Sequence, residues 1–170
     1  MGTIGRSRGL AAFILLACAW TAPGGAQSVA GRVEVEVAAP LTLVNSAPLS
    51  FGTIAAGTGG TATVDPDTQA VTTSGGVVAL GGPVSAAEFS GIAGAGKHVK
   101  VSLPKGGIPL KRVGGTETMT LRAFTLDGKR NEREVINNAF SFRVGGTLSV
   151  GAAQAEGLYE GSFDIIVDNF

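Results

Sequence analysis

The sequence predicts an all-β chain, folded as a single antiparallel β-sandwich of about eight to ten short strands. Three observations predict it. Apolar residues alternate with polar ones at period two, Gly, Pro, Asn and Asp punctuate the alternating stretches, and no apolar pattern of helical period runs for a useful length. The chain has 170 residues, enough for one domain, and neither a linker nor a strict repeat divides it. Apolar residues make up 44% and charged residues 15%, too apolar a mix for a disordered chain. The 27 glycines follow no G-X-Y period, which excludes collagen. Thirteen basic residues balance 13 acidic ones, so there is no electrostatic footprint for nucleic acid.

The first segment reads as a targeting signal. Arg6 and Arg8 form a positive n-region, and residues 10–18 are an apolar run too short to span a bilayer. Gly24 and Ala26 then supply small residues for cleavage, with a second possible cut after Ala30. The expected organisation is a signal peptide over residues 1–26 and a β-sandwich over 27–170. The competing reading is a lipoprotein signal acylated at Cys18, weakened by Leu16, where a small or β-branched residue is usual. Either way the chain is expected to be exported to the periplasm, cell surface or medium, with no membrane span in the mature part. Cleavage removes Arg6 and Arg8 but no acid, leaving a net charge of −2, and it also removes Cys18 and Trp20. The mature domain then holds no disulfide, and packing and hydrogen bonds must hold it together.

The strands follow in order. Val33, Val35, Val37, Ala39, Leu41 and Leu43 share one parity, with Glu34 and Glu36 opposite. Weaker strands are expected near residues 49–54, 61–64, 71–73, 77–80 and 88–92, although the Gly, Ala and Thr of residues 57–90 could instead be partly loop. Val99, Val101 and Leu103 alternate with His98, Lys100 and Ser102 until Pro104 stops the run. Met119, Leu121 and Ala123 share a face, then Phe124 and Leu126 take the other, a shift that predicts a bulge. Asp127-Gly128 is a turn signal. Phe140, Phe142, Val144, Leu148 and Val150 keep one parity across Gly145-Gly146. Tyr159, Phe163, Ile165 and Val167 form the last row, and Gly161 interrupts it where a neighbouring group must pack close.

Chemical motifs are weak. Residues 91–98 (GIAGAGKH) imitate a phosphate loop, but His98 replaces the magnesium-binding hydroxyl, and a strand follows where a helix is needed. Asp65-Pro66-Asp67-Thr68 lacks the spacing of a calcium loop and reads as a turn. One histidine and no mature cysteine leave no zinc cluster or thiol catalyst, and no serine sits in a nucleophile elbow. Lys105, Lys111 and Arg112 read as a solvated loop rim, with an anionic-polymer patch as the alternative. Tyr159 reads as the anchor of a β-corner ahead of a ligand-stacking ring. No enzymatic activity, metal or cofactor is expected.

The ordered set of short motifs carries a resemblance. Residues 49–54 (LSFGTI), 75–82 (GGVVALGG) and 87–89 (AEF), a strand ending in Leu103-Pro104, and residues 144–148 (VGGTL) precede Gly157, Tyr159, Gly161 and Phe163 in GLYEGSF. This order resembles the secreted bacterial family DUF4402, a domain of unknown function, over nearly all of residues 33–170. The resemblance implies an immunoglobulin-like sandwich related to spore-coat-U and archaic chaperone–usher pilins. It carries over no catalytic residue. The mature chain lacks the cysteines of disulfide-bearing pilin relatives, which puts pilus assembly in doubt.

The leading expectation is therefore an exported, non-enzymatic structural or cell-surface β-sandwich. An alternative is a fimbrial subunit assembled by strand donation, with self-association or a pilin-type chaperone and usher as partners. Val33, Val35 and Val37 are then the donor side chains. The same valines serve equally as the domain's own first strand, and that use is favoured. A further alternative is an extracellular glycan- or protein-binding module. Glycan binding needs exposed aromatic platforms, and the mature chain has one tyrosine and no tryptophan.

Overall fold

The strand expected around Phe140, Phe142 and Val144 is the longest in the computed structural model, which describes residues 40–94 and 98–170. Thirteen strands lie within those residues, more than the eight to ten expected from sequence. They are β1 (Thr42–Ala47), β2 (Ser50–Ala55), β3 (Gly60–Val64), β4 (Val71–Gly75), β5 (Val78–Ser85), β6 (Ala87–Ile92) and β7 (His98–Ser102). After these come β8 (Ile108–Arg112), β9 (Thr118–Leu126), β10 (Glu132–Glu134), β11 (Ala139–Val150), β12 (Tyr159–Glu160) and β13 (Ile166–Asn169). All the pairings are antiparallel.

An eight-stranded sheet forms one layer, in the order β1-β6-β11-β9-β8-β12, with β3 and β4 attached through β11. The pair β2-β5 and the trio β10-β7-β13 form the other layer. Along β11, residues 139–144 pair with β6 and residues 146–150 pair with β3. Gly145 and Gly146 mark the handover. A Cβ on Gly145 would lie 2.2 Å from the Val64 carbonyl oxygen, so no side chain fits where β3 and Pro66 close over the strand.

Two apolar clusters fill the space between the layers. The first gathers Phe89, Val99, Val101, Val135, Phe140, Phe142 and Val144. The second gathers Phe51, Ala62, Val64, Val77, Leu121, Leu148 and Val150. Leu49, Phe124 and Phe163 pack against both. Phe142 stacks on Phe89 at 5.2 Å between ring centres and lies parallel to Phe140 at 6.4 Å.

The expected bulge is present. Ala123 takes φ 51°, and opposite it the register on β11 slips between Gly145 and Thr147. That extra residue turns Phe124 into the core after Leu121. Asp127-Gly128 forms a short 3-10 turn with Gly128 at φ 62°. Residues 57–90 hold β3, β4 and β5 and enter β6, with turns and loop at residues 57–59, 65–70 and 76–77 between them. The small residues there make close ladders: Gly60 faces Gly75, and the Thr61 and Ser74 hydroxyls bond at 2.7 Å. The expected loop rim is also corrected, because Lys111 and Arg112 belong to β8 while Lys105 stays exposed outside any strand.

Truncation at the centre of the first cluster tests this packing. Phe142, 1% exposed, is expected to cost about 3–5 kcal/mol on Phe142→Ala. Urea unfolding measures it, and a loss below about 1 kcal/mol would place the core elsewhere.

Candidate functional site

A cleft of about 250 Å³ opens over the seam between the two clusters. It exists because two chain segments change layer side by side. On one side Pro48 and Leu49 carry the chain from β1 in the large sheet to β2 in the opposite layer. On the other, Gly161, Ser162 and Phe163 carry it from β12 to β13. Between them the inner face of the large sheet shows as a floor of Phe89, Ile108, Leu110 and Leu121.

Each wall is fixed locally. Proline has no amide hydrogen, so Pro48 ends the β1 ladder. Two hydroxyls then hold the crossing reciprocally: Ser85 donates to the Pro48 carbonyl at 2.7 Å, and Ser50 donates to the Pro83 carbonyl at 2.6 Å. The Asn45 amide, at the cleft mouth, donates to the Ala47 and Glu88 carbonyls.

The Gly157, Tyr159, Gly161 and Phe163 motif builds the second wall. Tyr159 is half-buried, donates its hydroxyl to the Ala155 carbonyl at 2.8 Å and accepts the Gln154 amide at 2.8 Å. It therefore closes the turn before β12. Gly157, at φ 143°, lies against the Arg112 side chain. The close neighbour expected over Gly161 is β8: a Cβ there would meet the Pro109 carbonyl oxygen at 2.8 Å. Phe163 then turns inward, 5.0 Å from the Phe124 ring and 6.4 Å from Phe89.

The backbone flanking the cleft is incompletely paired. Among the described residues β2 pairs only with β5, β13 pairs only with β7, and residues 161–165 join no ladder. Asn45 and Ser162 supply the only polar side chains of the lining. The volume falls just below the roughly 300–1,000 Å³ usual for small-molecule sites.

The other sequence candidates lie apart from this site. Val33, Val35 and Val37 fall outside the described residues, as do the expected signal peptide and Lys97. His98 begins β7, exposed, with its ring 6.1 Å from that of Phe170. The Asp65 carboxylate accepts the Asp67 and Thr68 amides, making the predicted turn. Sequence reasoning missed Ile108 and Leu110 as floor residues. Their alternation about Pro109 was the signal, obscured by Gly106, Gly107 and the neighbouring lysines.

The strongest perturbed charge braces the β8–β9 hairpin near this wall. Arg112 holds Glu117 through Nε at 2.7 Å and Nη2 at 3.0 Å. The guanidinium hydrogen bonds, with backbone amides assisting, lower the Glu117 carboxyl to about 2. The same bonds raise Arg112 further above its ordinary value.

These features define a class: an antiparallel β-sandwich with an apolar cleft beside strands that, among the described residues, are paired on one edge only. Residues 41–168 match the model of the family described as Domain of unknown function (DUF4402), and the chain belongs to that family. No curated protein and no solved structure matches it.

Two predictions follow from the walls and the brace. Gly161→Ala is expected to destabilise by about 1–3 kcal/mol, because the new methyl group meets backbone and cannot be accommodated by a rotamer change. Denaturant unfolding checks it, and an unchanged midpoint would show that β8 does not press on Gly161. A lowered carboxyl stabilises the fold above its unfolded value near 4.5 and loses that contribution as pH falls towards 2. Glu117→Gln is therefore expected to flatten the fall in melting temperature between those pH values. Both partners are partly exposed, so added salt should shrink the difference.

Proposed function

We propose that this chain is an exported, non-enzymatic structural protein whose working surface is the cleft, where an extended apolar segment adds as a strand. One observation carries the reading: the floor is apolar, while the backbone on both flanks lacks a ladder partner among the described residues. Buried main-chain amides and carbonyls need partners. A peptide strand supplies those bonds while filling the floor with alternate side chains, and a lipid chain supplies none.

The lining also favours binding over catalysis. The Asn45 amide is engaged with two carbonyls, leaving Ser162 as the other polar side chain, with no base beside it in the lining. The n-region and apolar run of residues 1–26 support export. The fimbrial alternative is the more specific form of the same reading, and the cleft favours it. A glycan platform gains no support from Tyr159, whose hydroxyl is committed within its own turn.

Refolding the chain with labelled peptides tests the proposal, because an already filled cleft cannot then mask binding. A peptide of residues 31–41 is expected to bind saturably and raise the melting temperature. A scrambled peptide that splits the valines between both parities is expected to do neither. Equal behaviour of the two peptides would sink the strand-addition reading.

A further inference from the structure

Threonine and serine recur at every second residue in four strands that the fold sets side by side, in the order β4-β3-β11-β9. The strand registers align them. Ser74, Thr61, Ser149 and Thr120 form one row across the strands. Thr72, Thr63 and Thr147 form the next row, which ends at Arg122 on β9. Ala62, Leu121 and Leu148 alternate with these residues and enter the second cluster, so the hydroxyls stand on the outer face of the sheet.

The alignment extends to the side chains. The Thr61 and Ser74 hydroxyls bond at 2.7 Å, and those of Thr63 and Thr147 bond at 2.9 Å. Each pair spends one hydrogen and one lone pair on itself, leaving one hydrogen and three lone pairs for an outside partner. The Ser149 hydroxyl, recessed between Thr61 and Thr120, has no partner among the described residues. From this grid we infer that the outer face of the sheet binds the surface of ice.

Three features select that partner. Along a strand the hydroxyls repeat at about 6.8 Å, and from strand to strand at about 4.8 Å. Both distances lie close to the two oxygen repeats on the prism face of hexagonal ice. No charged side chain enters the rows before Arg122, and a charged group would keep its own hydration shell out of step with a lattice. Each threonine also sets a methyl group beside its hydroxyl, so the face meets ordered water with apolar and hydrogen-bonding atoms together. A sugar chain finds no aromatic ring in the rows on which to stack. Strand propensity accounts for a threonine at any one of these positions. It does not keep lysine and glutamate, the ordinary residues of a solvated face, out of both rows.

Twist sets the strength of the match. Neighbouring strands rotate by about 20–25°, so the grid follows the lattice over a few cells only. That suffices to pin the boundaries of growing ice grains, with no large depression of the freezing point.

Annealing ice grains in frozen sucrose solution with the full chain tests this. Grains are expected to stay small, and to coarsen with serum albumin at equal concentration. Thr63→Lys combined with Thr120→Lys is expected to restore coarsening to the albumin level. Thr73→Lys places the same charge on the opposite face of β4 and is expected to leave inhibition intact. Thr72 is exposed on β4, so Thr72→Lys spares the packing and should weaken inhibition even where the double variant melts early. Coarsening with the unaltered chain would overturn the inference. Inhibition that survives both grid variants, or that Thr73→Lys removes equally, would overturn it too. Retention on insoluble cellulose, lost in the grid variants and accompanied by coarsening, would overturn it in favour of a glycan. The cleft reading stands or falls separately, because no residue of the two rows lines the cleft.

Discussion

Everything in this fold depends on one inward row of side chains along β11. Phe140, Phe142 and Val144 enter the first cluster, and Leu148 and Val150 enter the second. Gly146 occupies the same parity between them, where the Leu121 side chain packs against it. Twelve residues thus pair with β6, β3 and β9 at once, with a single register shift against β9. A slip of one residue would turn the whole row to solvent, so burial on one face fixes all three pairings together. The bulge at Ala123 meets the same demand from the other side, because it lets β9 face Leu121 and Phe124 into the core along a single edge.

The cleft follows from how the chain leaves that sheet. Strands cannot keep a ladder while changing layers, and two such crossings, at Pro48 and Gly161, lie beside one another. Each is locked: one by paired serine hydroxyls, the other by the close approach to Pro109. The two walls of the cleft are consequently fixed by the backbone of the described residues. Leu49 and Phe163 pack against both clusters and stand on its two walls, so whatever fills the gap also bears on the join between the cores.

Most of the fold was legible because period two survives in the sequence wherever one face is buried. The rows at Val99 and Val101, at Leu121 and Phe124, and along β11 could all be read directly. The glycine opposite a close neighbour at position 161 was legible for the same reason, since it broke a row otherwise apolar. Strands built from Gly, Thr and Ser were harder to read. β4 is largely exposed, and its stability comes from pairing with β3, which leaves no hydrophobic alternation to see. β8 was hidden by Pro109 and Lys111 on its outer face, and with it half the floor of the cleft. The cleft itself lies beside strand edges left unpaired among the described residues, and local patterning carries no mark of which neighbours will be absent from a ladder.

Energetics explain why an incoming segment must be a strand and cannot be merely an apolar plug. Burying three valines contributes about 1.5–2 kcal/mol each. Ordering seven backbone residues costs about 1–2 kcal/mol each, which is more than the valines return. The difference must come from main-chain hydrogen bonds at about 0.5–1.5 kcal/mol apiece, and a strand lying between two open edges can make them on both sides. Loss of either edge would leave the segment unbound despite its valines. Cysteine does not change this balance, since the chain's single one lies at position 18, within the expected signal. With strand addition as proposed, stability would rise with the concentration of the added strand, as for any association that selects the folded state.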